Sequence, residues 1–180
     1  MIGRLPVIGV MGSGEEPHRD LASVLGRWLA GQGVHLLTGG GGGVMAAVSE
    51  AFASVVDRKG LVIGVLPAAD DEVSAPAGYP NPYVEIVLRT HLAARGEDGA
   101  DFDSRNHINV LSSDALVLLP GGAGTRSEAL LAQRYAVPAM VWDPRGVKRA
   151  LARSKLPHAK SFADVQAFVR RVIDSESGGF

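Results

Sequence analysis

Three times in this chain a short, nearly continuous apolar run ends directly in glycine. Residues 6–11 give way to Gly12, Ser13 and Gly14. Residues 34–37 give way to Thr38 and a run of glycines that opens with Gly39 and Gly40 and closes with Gly43. Residues 115–119 give way to Pro120, Gly121, Gly122, Ala123 and Gly124. A strand that is apolar at nearly every position is one covered on both faces, as in a parallel sheet. Turns that leave the C-terminal ends of parallel strands line one crevice. Glycine there lets backbone amides approach a ligand, and the following helix adds unpaired N–H groups and the positive end of its dipole. The competing explanation for each turn is tight strand–helix packing with no ligand.

The rest of the chain fits this pattern. Residues 17–30 carry Leu21, Val24, Leu25, Trp28 and Leu29 at helical spacing, and residues 44–56 form a second helical stretch before a strand at 61–66. Residues 68–82 are polar and turn-rich. Residues 83–88 alternate as a strand with Val84, Ile86 and Leu88 on one side, and 93–103 read as an exposed loop. A short helix from about 103 or 104 carries Arg105, Ile108 and Val110. A helix at 125–135, a strand at 138–142 and a helix at 162–173 complete the order. Strands alternating with helices over short connections predict one α/β domain spanning 1–180, a three-layer, doubly wound parallel sheet of Rossmann-like type.

Composition narrows the function. The chain has 180 residues, 46% of them hydrophobic, which suits a single domain with a sizeable core. A net charge of -1 gives no sign of a nucleic-acid surface. The absence of cysteine removes thiolate metal sites and thiol nucleophiles. No apolar run is long enough to span a bilayer, and the N-terminus lacks the features of a signal peptide, so the expected setting is the cytoplasm. The five histidines, His18, His35, His91, His107 and His158, make no metal-ligand spacing. His91 and His107 flank the candidate crevice. Neither GxGxxG nor the Walker pattern occurs at the glycine turns.

The segment from Pro120 through Gly121, Gly122, Gly124 and Thr125 to Glu128 resembles the PGGxGTxxE motif of the LOG-like proteins, once described as lysine decarboxylases. That superfamily also holds the molybdenum cofactor carrier proteins and a group distantly similar to DNA-processing protein A. Thr38, Gly39, Gly40, Gly43, Val44 and Met45 look like its TGGxxGVM turn. Asn81-Pro82-Tyr83 and Ser104-Arg105-Asn106 look most like the carrier-type branch. The resemblance implies a nucleotide-binding fold, a homodimer and a bound phosphorylated ligand, a nucleoside monophosphate or a phosphorylated pterin, with no cofactor required beyond it. In the phosphoribohydrolases of the superfamily an Arg and a Glu are held to be catalytic; the matching positions are Arg105 and Glu128. This chain has Arg105-Asn106 where those enzymes carry Arg-Lys, and 93–101 resembles an insertion.

Each residue also has a plain structural role to weigh. Thr125 and Glu128 stand at capping-box spacing, so Thr125 could cap the helix and Glu128 could bond its amide. Arg105 could hold phosphate through its planar fork, or pair with Asp101 or Asp103. Asn106 and Asn109 share a helix with core residues, and one of them is expected to face the crevice. Thr38 could meet a phosphate or close a turn. Met11 and Met45 suit a pocket wall. Glu15 and Glu16 are expected at the first helix N-terminus, where they would oppose a dianion. Three readings remain: a binder or carrier of a phosphorylated ligand, a phosphoribohydrolase using Arg105 and Glu128, and an interaction protein with structural glycines. Lysine decarboxylation is disfavoured, since no lysine lies in the glycine turns to anchor pyridoxal phosphate.

Overall fold

The computed structural model describes residues 4–69, 73–146, 151 and 154–177. Of the four lysines, Lys59, Lys148, Lys155 and Lys160, none of which lies in a glycine turn, Lys148 lies outside the described residues. The elements are β1 (Val7–Met11), α1 (Arg19–Ala30), β2 (His35–Thr38), α2 (Gly43–Ala53), β3 (Val62–Leu66), β4 (Ile86–Arg89), a 3₁₀ turn (Gly96–Asp98), α3 (Asn106–Leu111), β5 (Ala115–Leu118), α4 (Ala123–Arg134), β6 (Ala139–Val141) and α5 (Phe162–Ser177).

All strand pairings are parallel, in the order β4-β3-β2-β1-β5-β6. The chain builds outward from β1 through β2 and β3 to β4, then returns to lay β5 on the other side of β1. The topological switch point therefore lies between β1 and β5. Since β2, β1 and β5 are neighbours, the three glycine turns leave three adjacent strands at one sheet edge.

The continuous apolar strands divide their side chains between two cores. Ile8 and Val10 of β1, and Ala115 and Val117 of β5, point toward the layer of α1, α2 and α5. Met11, Leu116 and Leu118 point toward α3 and α4. The period of two within an unbroken apolar run is what makes one sheet serve both layers. The doubly wound three-layer arrangement is thus the one expected.

One expectation about elements needs correction and another refinement. The strand at 83–88 is shorter, Ile86–Arg89, and exposed along its length. It is the sheet edge. Val84 precedes it and packs over Gly64, where a Cβ would come within 2.8 Å of the Val84 methyl. The segment 93–103 is largely exposed, as expected, but it is anchored by a short 3₁₀ turn. Its 3₁₀ turn packs on α4: the Ser127 hydroxyl donates to the Gly96 carbonyl at 3.2 Å, Arg126 pairs with Glu97, and Gly99 is buried. Its Gly and acidic residues are turn formers, which composition does not distinguish from a solvated loop.

Candidate functional site

The three glycine turns do different work. In the first, the Ser13 hydroxyl accepts the Glu15 and Glu16 amides at 3.2 and 2.9 Å, and the Ser13 amide donates to the Pro120 carbonyl at 3.0 Å. The helix beyond begins only at Arg19, after His18 in a left-handed conformation. Glu15 and Glu16 therefore sit in the loop, not in the first turn of α1 as expected, because the Ser13 turn uses the chain that would have begun the helix.

The second turn is tied down from several sides. The Thr38 hydroxyl accepts the Gly40 amide at 3.1 Å, closing a turn. Asn81 donates its amide to the Gly40 carbonyl at 2.7 Å and its side chain to the Gly41 carbonyl at 2.9 Å. The α2 N-terminus, capped by no side chain, already has a partner: the Val44 amide donates to the Ser13 carbonyl at 2.8 Å. Gly43 has φ 57°, and a Cβ there would collide with the Ser13 carbonyl oxygen. Only glycine allows this meeting of two turns.

The third turn is the open one. α4 starts at Ala123 with Gly122 as its N-cap and no side-chain cap. The Arg126 amide returns to the Gly122 carbonyl at 3.0 Å, while the amides of Ala123, Gly124 and Thr125 have no partner among the described residues. The Thr125 hydroxyl, in a residue only 2% exposed, likewise has no partner. Thr125 is the third residue of the helix and not its cap, so the capping box does not form. Glu128 turns instead toward α3.

A cleft of about 560 Å³ lies here, lined by residues of the first turn, Met11, Met45, Tyr79, Arg95, Gly96, Arg105, Asn106, Glu128 and the start of α4. That size suits a small-molecule site. Arg105, at the N-cap of α3, lays its guanidinium on the backbone of Gly39, where a Cβ would sit 2.7 Å from its Cζ. Its Nη1 donates to Asn106 Oδ1 at 2.8 Å and stands 3.7 Å from Glu128 Oε1. Asn109 donates to that same carboxylate oxygen at 3.0 Å. Arg105 Nε and Asn109 Oδ1 are buried without partners. Burial raises the Glu128 carboxyl above the ordinary glutamate range, against the opposing pull of Arg105 and of the Asn109 hydrogen bond.

Of the residues expected from sequence, Gly12, Ser13, Gly14, Met45, Arg105, Asn106, Gly122, Gly124, Thr125 and Glu128 line the cleft. Thr38, Gly39, Gly40, Gly43, Pro120 and Gly121 do not. They stand one layer behind, and their role is to shape the turns and seat Arg105 and Thr125. The Arg105 partner is Glu128 and neither Asp101 nor Asp103. His107 is held by Tyr135 at 2.7 Å and by the Asp101 carbonyl at 2.9 Å, and neither it nor His91 lines the cleft. Both Asn106 and Asn109 are buried, one lining the cleft and one holding Glu128. Sequence reasoning missed Tyr79, Arg95 and Gly96. The one signal for Tyr79 is the bare Gly41, whose absent side chain leaves room for the tyrosine ring: a Cβ there would lie 2.6 Å from Tyr79 Cζ. Among the described residues no group of three His, Asp or Glu is placed to hold a metal ion, and no helix is long and apolar enough to cross a membrane.

An all-parallel doubly wound sheet, with a ligand-sized cleft at its switch point and an uncapped helix opening into it, defines a Rossmann-like binding domain. The chain belongs to the SLOG cluster4 family, whose model matches residues 5–169. It is 36% identical over 131 residues to an uncharacterised protein of Archaeoglobus fulgidus, covering 72% of this chain and 74% of that one. Among solved structures it is similar to the molybdenum cofactor binding protein of Rippkaea orientalis, at 31% identity and TM-score 0.73, covering 94% of this chain and 98% of that one. It is also similar to the molybdenum cofactor carrier protein of Chlamydomonas reinhardtii, at 30% identity and TM-score 0.70, covering 95% of this chain and 99% of that one.

Proposed function

We propose that this chain binds a phosphorylated small molecule in the cleft at the β1–β5 switch point, and that the ligand is a phosphorylated pterin of the molybdenum cofactor type. The observation that carries the reading is the α4 N-terminus. Three free amides and the helix dipole stand at the cleft, a donor set suited to phosphate oxygens, and Thr125, which lines the cleft, keeps its partnerless hydroxyl buried beside Gly121. The similarity to a cofactor binding protein and a cofactor carrier over nearly the whole chain favours a pterin as the phosphate's bearer. Tyr79, Met11 and Met45 offer apolar surface for a flat ring. In the test, purified protein is denatured and the released small molecules are oxidised and examined by fluorescence and mass spectrometry. The expected result is a pterin phosphate, retained less by Thr125→Val. Stoichiometric release of a different phosphorylated molecule would overturn the pterin assignment while sparing the cleft.

A second reading is favoured by one feature, the Arg105–Glu128 pair lining the same cleft. A carboxylate there could support cleavage of a nucleoside 5′-monophosphate. Water would add to C1′ as the bond to the base nitrogen breaks, and the base would leave with the bonding pair and take up a proton. Glu128 would stabilise the developing positive charge on ribose or orient the water. Incubation with AMP and N6-substituted AMP, beside Glu128→Gln, tests this. Base release lost in the folded variant supports turnover; none across the panel leaves carriage as the function.

A further inference from the structure

Arg95 stands apart from the other charges of the cleft. It is exposed at the cleft wall, and while its carbonyl accepts the Asp98 amide at 3.3 Å, its guanidinium makes no hydrogen bond or ion pair among the described residues. Its neighbours explain why it is free. Glu97, two residues on, pairs with Arg126, and Arg105 is engaged by Asn106 and Glu128. Arg95 is also well anchored. It is the N-cap of the 3₁₀ turn, which is fixed to α4 by Ser127 and by Arg126, and Ala94 bridges Ser104. A free guanidinium is thus delivered to the same cleft that the start of α4 lines, where the amides of Ala123, Gly124 and Thr125 are unpaired. The cleft is polarised in charge, because the first-turn wall carries Glu15 and Glu16. Those carboxylates repel a dianion and direct it toward the α4 and Arg95 side.

We propose that Arg95 is the charge-selecting residue of the cleft, closing on the dianionic phosphate of a monoester seated at the α4 N-terminus. This rests on the reading that a phosphorylated ligand occupies the cleft. Arg95 then sets the preference for a phosphorylated molecule over its dephosphorylated counterpart, while the pocket wall and Glu128 deal with the remainder of the ligand. A planar guanidinium suits the task, since it can present two N–H groups to two phosphate oxygens.

The test uses calorimetry at pH 8, where phosphate is largely dianionic, with inorganic phosphate, AMP and adenosine as probes. Wild type is compared with Arg95→Ala, Arg95→Lys and, as a control for loss of one charge at the far end of α4, Arg134→Ala. Arg95→Ala should weaken phosphate and AMP about ten-fold or more, the size expected of a charge-assisted hydrogen bond. Arg95→Lys should weaken them less, and adenosine should be indifferent to both changes. Since Arg95 has no partner to lose, the midpoint of thermal unfolding should not move. Equal phosphate and AMP affinities in wild type and Arg95→Ala overturn the inference and leave the cleft reading intact. An equal loss in Arg134→Ala overturns it too, since the effect would then be one of overall charge. Failure of wild type to bind either phosphorylated probe overturns this inference together with the phosphate reading beneath it.

Discussion

Glu128 is the residue whose chemistry is most altered by its place in the fold. Its folded carboxyl binds its proton above the ordinary value of 4.5, chiefly because it is buried. Between that value and the raised one the folded state holds more protons than the unfolded chain, so the contribution of Glu128 to stability is fully present at low pH and falls as pH rises. The difference in unfolding free energy, wild type minus Glu128→Gln, should therefore decline above about pH 4.5, a trend that chemical denaturation across pH can follow. A flat difference would place the carboxyl in the ordinary range. Gly39 gives a second prediction. In Gly39→Ala the added methyl meets the Arg105 guanidinium, which is buried and cannot swing freely away. A loss of roughly 1–3 kcal/mol is expected by urea unfolding, with weakened ligand retention. The sequence named Arg105 and Glu128 as candidates, yet not their relation. Thr125 and Glu128 have capping-box spacing in one dimension, but α3 lies against that face of α4, and a buried Asn109 and Arg105 compete successfully for the carboxylate. Spacing along a helix says nothing about what crosses it.

At the scale of elements, most of the architecture was legible because it follows from periodicity. Continuous apolar runs give parallel strands, and the spacing of Leu21, Leu25 and Leu29 gives the buried face of α1. What escaped was the use made of each helix start. All three glycine turns were candidate phosphate sites, but the first is separated from its helix, the second gives its Val44 amide to the Ser13 carbonyl, and the third leaves the amides of Ala123, Gly124 and Thr125 unpaired among the described residues at the cleft. Those differences come from hydrogen bonds between turns far apart in sequence. The close approach of α1 to α2 is another such contact. A Cβ on Gly26 would lie 2.5 Å from the Val48 carbonyl oxygen and 3.1 Å from the Phe52 nitrogen. Gly26→Ala should push the two helices apart and cost roughly 1–3 kcal/mol in spite of the better helix propensity of alanine. A stability gain in thermal or urea unfolding would show that the helices have slack.

Over the whole molecule, burial is graded from the central strands to the β4 edge. Val65 of β3 is 0% exposed, whereas Val87 of the neighbouring β4 is 39% exposed. Val87→Lys should leave stability within about 1 kcal/mol of wild type. Val65→Lys places an unpaired charge in the core and should prevent folding. Soluble expression and far-UV circular dichroism distinguish the two. Alternation at 83–88 suggested a strand with Val84, Ile86 and Leu88 on one side, but neither face of an edge is sealed by the helices that seal the centre, and no pattern within one strand reveals its position in the sheet. Arg105 reaches across the molecule in a different sense. It belongs to the return crossover that joins β4 to β5, and it rests on Gly39, which belongs to the part of the chain before it. The cleft is therefore a seam between an earlier-made and a later-made portion of the polypeptide. During synthesis the ribosome releases the Gly39 turn well before the arginine that lies on it, so binding competence arrives only when the second portion has docked. Ligand capture in a refolding experiment would then report the final long-range contact and lag behind the appearance of secondary structure.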